Sequence, residues 1–135
     1  ITPLFSERCE VKLPPERQSK RIKHWQQTAI SACEQSGRAA PPQVHTPLQL
    51  NQWLAAQTAD LKFVLHHHAD KPIEQLKAPT TVALLIGPEG GLTEAEVELA
   101  QSFGFQPLTL GPRVMRTETA PIAALAVLNY IWGDF

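Results

Sequence analysis

The chain alternates short continuous runs of apolar residues with stretches in which apolar positions recur every three or four residues, the pattern of strands and amphipathic helices taken in turn. Ile1 to Phe5 is an apolar run with no turn or cap ahead of it and reads as a strand entered midway. Pro14 and Pro15 predict a helix from about Glu16 to Cys33, because proline suits a first helical turn and Ile22, Trp25, Ala29 and Cys33 share one face. Gly37 and the Pro41-Pro42 pair end it. Gln43 to His45 is long enough for a very short strand. Thr46 as cap and Pro47 in the first turn then predict a helix with Leu50, Trp53 and Leu54 on one side. Leu61 to Leu65 is the next strand, and His66 to Pro79 is polar and reads as loop. Thr81 to Ile86 is apolar throughout, as a strand covered on both faces requires.

Gly87-Pro88-Glu89-Gly90-Gly91 is a turn, and Thr93 with Glu96 has the spacing of a capping box. Val97, Ala100 and Phe103 continue that helix and Gly104 closes it. Phe105 to Leu110 returns as a strand and Gly111 to Thr117 is a loop. Thr119 as cap and Pro121 start a final helix that runs to about Trp132 and is apolar nearly all round. Ile122, Leu125, Ala126, Leu128, Ile131 and Trp132 occupy more than one side of it, and one small domain has a single core to cover them. A homodimer through this helix is therefore expected. The order of elements predicts an α/β domain, a parallel sheet flanked by helices.

With 135 residues, 43% of them hydrophobic, the chain suits one domain, 1–135, with a core of its own. Thr119 to Gly133, the longest uncharged apolar stretch, falls short of a bilayer span, and no basic segment leads into an apolar run at the start. A soluble cytoplasmic protein without membrane contact is expected. Two cysteines, Cys9 and Cys33, call for neither a disulfide scaffold nor a four-ligand zinc site. His66 and His68 could share a face, but no carboxylate or Cys stands at ligand spacing, and no metal is expected. The net charge of -1 hides an asymmetry: seven Lys or Arg against four acids up to Arg38, then five against nine. A basic first third can steer RNA, and an ordinary solvated helix face gives the same count.

Two segments carry candidate chemistry. In Leu84-Leu85-Ile86-Gly87-Pro88-Glu89-Gly90-Gly91-Leu92-Thr93 a strand runs into a glycine turn and a capped helix. There, glycine lets the backbone approach a ligand and free amides can bind acceptor atoms. It lacks the Gly-Lys-Ser/Thr of a Walker loop and the three spaced glycines of a dinucleotide loop. A tight turn needing glycine for geometry alone explains it equally well. Leu110-Gly111-Pro112-Arg113-Val114-Met115-Arg116-Thr117-Glu118-Thr119-Ala120 crowds two arginines and a glutamate between a buried strand and a buried helix, where unpaired charge is costly. A cap at Thr119 and an Arg116–Glu118 pair are the purely structural reading.

Taken together, these segments resemble the signature of the SPOUT-class methyltransferases with a trefoil knot, in particular the family that methylates N3 of a uridine in 16S ribosomal RNA. Pro3 to Cys9 and Ala32 to Arg38 extend the resemblance over essentially the whole chain. It implies the SPOUT fold, with a C-terminal deep trefoil knot that general topology rules count as rare. It also implies S-adenosylmethionine as cofactor and 16S ribosomal RNA or the small ribosomal subunit as partner. In that family three loops after adjacent strands wrap the cofactor. Carried over, the first supplies Leu65 and His66, the second Ile86, Gly87, Pro88, Glu89, Gly90 and Gly91, and the third Leu110, Gly111, Val114, Met115 and Arg116. Relative to the family, the N-terminal RNA-binding β-barrel and the opening strand and helix of the knotted domain are missing before Ile1. The triple histidine 66–68 replaces a more usual His-Pro.

The chemistry so implied needs the methyl carbon and uridine N3 held close, aligned and dry. N3 is a poor nucleophile until its proton leaves, so a cation beside O2 or O4 helps. Arg116 is the candidate cation. Glu118 is a catalytic candidate that could accept the proton or orient Arg116, and the orienting role is preferred because a carboxylate paired with a cation is a weak base. Arg8, Arg38 and Arg113 are candidates for RNA contacts, since guanidinium suits phosphate and base edges alike. Two other readings stay open at this level: a methyltransferase of the same fold acting on another RNA site, and a non-catalytic nucleotide-binding or dimerisation fragment.

Overall fold

Parallel strand pairing organises the chain in two sets. The computed structural model describes residues 1–10, 13–66, 73 and 76–133. The elements run β1 (Leu4–Phe5), α1 (Pro15–Ser36), β2 (Leu48–Gln49), α2 (Leu50–Ala55), β3 (Leu61–Leu65), β4 (Val82–Leu85), α3 (Glu94–Ser102), β5 (Gln106–Leu108) and α4 (Ala120–Trp132). β1 pairs with β2, and β3 lies between β4 and β5, every pairing parallel. The α/β class and the parallel pairing follow the sequence. The described strands form a two-stranded and a three-stranded set, not one continuous sheet.

β3 is apolar on both faces, and the side chains of β3 and β4 divide between two clusters as strand alternation requires. Val64, Ala83 and Leu85 point to a cluster that takes Leu50 and Leu54 from α2, Ala100 from α3, and Phe105. Phe63, Leu84 and Leu108 point to the other, where Leu128, Ile131 and Trp132 of α4 cover them. Trp53 meets Phe105 at 5.6 Å between ring centroids, and Phe63 stacks on Trp132 at 6.4 Å. Helices thus lie on both faces of the three-stranded sheet. Only one side of α4 is used: Ala124 and Leu128 are buried, whereas Ile122, Leu125 and Tyr130 are exposed. No helix among the described residues is long and apolar enough to cross a membrane.

α1 starts with Pro14 as N-cap and Pro15 in the first turn, and ends on Gly37, whose φ of 73° is left-handed. Its inward face carries half-buried Ile22, Trp25 and Ala29 and buried Cys33. The expected strand at Gln43 to His45 and the helix start at Thr46-Pro47 do not form. The main chain there is satisfied in other ways: Gln26 Nε2 donates to Pro42 O at 3.1 Å and Gln26 Oε1 accepts from Val44 N at 2.8 Å. His45 N donates to Ile1 O. The strand is Leu48–Gln49, beginning three residues after His45, because Leu48 N donates to Pro3 O and pairing with β1 overrides the local helix signal. Thr119 is also not a side-chain cap: it is helical (φ -89°, ψ -37°), and Arg116 O takes the Thr119 and Ala120 amides in its place. The capping box of α3 forms as its spacing predicts.

Asp60 fixes the register of β3 on β4. One carboxylate oxygen accepts from Thr80 N at 2.9 Å and Thr81 N at 3.0 Å, while Thr81 Oγ1 accepts from Asp60 N. These two amides hold the Asp60 carboxyl below its ordinary pKa, by favouring the charged form. A depressed folded-state pKa adds stability above the unfolded value, and that stability is lost as pH falls through the folded value. Asp60→Asn is therefore expected to be less stable than the parent at neutral pH. The gap should close below the usual carboxylate range, where the parent's own carboxyl is protonated. Urea titrations at the two pH values check this, and a gap that persists in acid would show that the carboxylate is not its source.

Candidate functional site

In the order β4–β3–β5, the strand that comes next in the chain after β3 lies on one side of it and the strand after that on the other. In parallel α/β sheets such a switch point opens a crevice beyond the carboxyl ends of the strands. A cavity of about 550 Å³ lies there, within the range of small-molecule sites, roughly 300–1,000 Å³. Three chain exits wall it: Leu65 and His66 after β3, Ile86 to Glu89 with Gly91 and Leu92 after β4, and Leu108 to Gly111 with Arg113 to Glu118 after β5. The exits are tied together at their base, where His66 N donates to Leu108 O and Thr109 Oγ1 donates to His66 O at 2.9 Å.

Every residue assigned from sequence to the three loops lines this cavity except Gly90. Arg8 and Arg113 line it too. Arg38 does not; it lies exposed beyond the carboxyl end of α1. Leu92, Leu108, Thr109, Thr117 and Ala120 line it without having been singled out. Leu92, Thr117 and Ala120 lie inside the two chemical segments, and Leu108 and Thr109 stand one or two residues ahead of the second. His67 and His68 lie outside the described residues.

Gly90 does not line the cavity, but its turn depends on a close approach. A Cβ there would sit 3.1 Å from Arg8 Cβ and 3.4 Å from Arg8 O, so the glycine lets the Arg8 segment approach. Arg8 answers with a hydrogen bond from Nη1 to Gly90 O at 3.1 Å. One residue earlier, Glu7 N donates to Glu96 Oε1 at 2.8 Å, while Glu96 Oε2 accepts from Thr93 N. The carboxylate of the capping box thus pins a segment eighty-nine positions away. Local spacing finds the box, but nothing in it announces the distant partner. Gly91 and Gly111 have φ of 71° and 82°, so their turns do require glycine.

The electrostatics are those of an open rim. Arg116 Nη1 stands 3.9 Å from Glu118 Oε1, with the two side chains 86% and 68% exposed. A pair this long and wet is weak and leaves the guanidinium available. Val114, 87% exposed, is an apolar side chain on the same lip. Among the described residues, the main-chain amides of Gly111, Val114 and Met115 donate to no protein acceptor. The cavity therefore offers apolar walls, unspent backbone donors and a cationic edge. Together these suit a flat heterocycle with a polar tail.

A family model for an RNA methyltransferase domain matches residues 1–129. The chain belongs to this RNA methyltransferase family. A ribosomal RNA small subunit methyltransferase E of Buchnera aphidicola from Schizaphis graminum is 39% identical over 136 residues, 99% of this chain and 55% of that protein. A putative methyltransferase of Legionella pneumophila, solved with bound S-adenosylmethionine, is 44% identical with a TM-score of 0.94, over 99% of this chain and 56% of that one. The small subunit methyltransferase E of Neisseria gonorrhoeae, also solved with S-adenosylmethionine, is 40% identical with a TM-score of 0.91, over 99% and 55%. The RNA methyltransferase domain thus spans about half the length of these relatives.

Gly90→Val in this domain is expected to push the Arg8 segment off the turn and speed hydrogen exchange at the Glu7 amide. Gly91→Ala should leave Arg8 in place and lose roughly 1–2 kcal/mol to its left-handed backbone. Exchange read by NMR and chemical denaturation separate the two effects. Unchanged Glu7 exchange in Gly90→Val would show that the turn does not depend on the close approach.

Proposed function

We propose that this domain methylates N3 of a uridine in 16S ribosomal RNA with S-adenosylmethionine as methyl donor, within a protein built like its small-subunit methyltransferase E relatives. The observation that carries the reading is the single cavity in which three loops meet at the carboxyl ends of β3, β4 and β5, with Arg8, Arg113 and Arg116 on its walls. The same reading gives the chain from β5 into α4 the deep trefoil knot of the SPOUT class. It places the protein in the cytoplasm, where ribosomal subunits are assembled.

S-adenosylmethionine, when bound, supplies an electrophilic methyl on a sulfonium. The residues present fit it: Leu65, Ile86 and Leu110 give apolar surface for the adenine, and the unspent amides of Gly111, Val114 and Met115 suit its acceptor edge. The work left to the protein is on the acceptor base. Arg116 has its carbonyl fixed at the start of α4 by the Thr119 and Ala120 amides, while its side chain projects into solvent at the cavity lip. A guanidinium held there stabilises the uridine anion at O2 or O4 more than neutral uridine, which is the differential binding that raises turnover. Glu118, 3.9 Å away and largely in water, is its weak partner and tethers it only loosely. The N3 proton leaves to water, which reaches the open lip. Arg113 and the remaining donors of Arg8 face phosphate.

Calorimetry with S-adenosylmethionine and with ATP tests the cofactor, and labelled methyl transfer to small subunits lacking the modification tests the reaction. Equal binding of ATP, or no transfer, would sink the reading. Arg116→Ala is expected to lower turnover by about 10²-fold to 10³-fold with cofactor affinity nearly intact, and Arg116→Lys to recover part of it. Turnover within a few-fold of the parent would reduce Arg116 to a structural partner of Glu118.

We also infer a homodimer through α4, supported by the exposure of Ile122, Leu125 and Tyr130 (71%, 53% and 78%) on a helix whose other side is buried. Leu125→Glu should dissociate the dimer in sedimentation. A stable monomer of the parent at micromolar concentration would overturn the inference.

A further inference from the structure

Beyond the cavity, the outer face of α1 carries Arg17, Lys20, Arg21 and His24, at spacings of three, four and seven residues that place them on one stripe. All four are exposed, while Ile22, Trp25, Ala29 and Cys33 turn inward. Among the described residues no carboxylate forms an ion pair with the stripe, although Glu7 and Glu16 line the same groove as Arg17. Glu16 stands one turn before Lys20, yet the sole ion pair among the described residues is Arg116 with Glu118. The stripe also begins at the site. Arg17 shares an open groove with Phe5, Ser6, Glu7 and Cys9, and the residue between these last two, Arg8, lines the cavity. From Arg17 to His24 the helix rises roughly 10 Å, enough to meet two successive phosphates of one strand.

We propose that this stripe is a docking surface for the sugar-phosphate backbone of the substrate RNA, which reaches the cavity by way of Arg8. The inference rests on the RNA methyltransferase reading and adds where the RNA lies. Three permanent cations on a helix held near its middle by the hydrogen bonds of Gln26 present charge at a set spacing, which suits backbone positioning and carries no base readout. Counterions released from the RNA would make this contact weaken steeply with salt.

The test compares the protein with a variant carrying Arg17→Gln, Lys20→Gln and Arg21→Gln, all exposed helical positions, and with the control Lys77→Gln away from the stripe. Binding to a protein-free 16S ribosomal RNA transcript is measured across a salt series, and methyl transfer to small subunits is measured at varied subunit concentration. The triple variant is expected to raise the Kd for the transcript by roughly tenfold and to flatten the log Kd against log salt slope by about 2 to 3. KM should rise with kcat unchanged, and S-adenosylmethionine affinity, unchanged as well, shows that the fold is intact. Lys77→Gln should leave all of these near the parent. An unchanged Kd and slope, with the parent active, overturns the stripe alone. A raised KM on subunits with unchanged transcript binding assigns the stripe to a ribosomal protein and also overturns it. A parent that transfers no methyl group overturns the underlying reading and the stripe with it.

Discussion

The central position of β3 is the constraint on which the rest depends. A strand with parallel neighbours on both sides must hide both faces, and Phe63 on one and Val64 on the other, exposed by 2% and 0%, do so. That double burial calls for α2 and α3 on one face and α4 on the other. Because all three strands point the same way, their exits crowd at one edge, and the cavity is the space that these exits cannot fill.

The cavity wall is tightened by contacts between parts of the chain far apart in sequence. Glu96 shares its two oxygens between the start of its own helix and the Glu7 amide, and Arg8 closes on Gly90. The turn after β4 is thus held from two directions, by its helix and by the segment after β1. By contrast, the loop after β5 is held at its ends, by Thr109 on His66 and by Arg116 O on the α4 amides, with free donors between. A site built of one fixed and one adaptable wall can bind a small molecule and still admit a large one.

Much of the fold was legible because strand and helix periods were strong. Leu61–Leu65, the capping box of α3, and α1 with its glycine stop follow from local pattern alone. What was misjudged turned on distant partners. Gln43 to His45 has the composition of a strand, but the Gln26 side chain takes the Val44 amide, and only Ile1 meets its flanking main chain. Thr46-Pro47 has the look of a helix start, but β1 claims Leu48. The site loops were legible as loops, and their convergence on one cavity follows from the strand order β4–β3–β5, which no local signal encodes. The close approach of Arg8 to Gly90 is likewise invisible to local pattern, since the two stand eighty-two positions apart.

The weakness of the Arg116–Glu118 pair is part of how the rim can work. A buried pair would hold its guanidinium tightly, and drawing it toward a base would cost the carboxylate its partner in a dry setting. At 3.9 Å and largely in water the pair costs little to break or rearrange, so Arg116 can turn from Glu118 to an acceptor oxygen with little loss. Its main chain, meanwhile, cannot wander, because the first amides of α4 hold its carbonyl. The group asked to stabilise a developing anion is thus anchored at the backbone and loose at the tip. Under the proposed reading its preorganisation would be completed by an RNA over the lip, and Val114, left exposed beside it, is a surface that such a cover would bury.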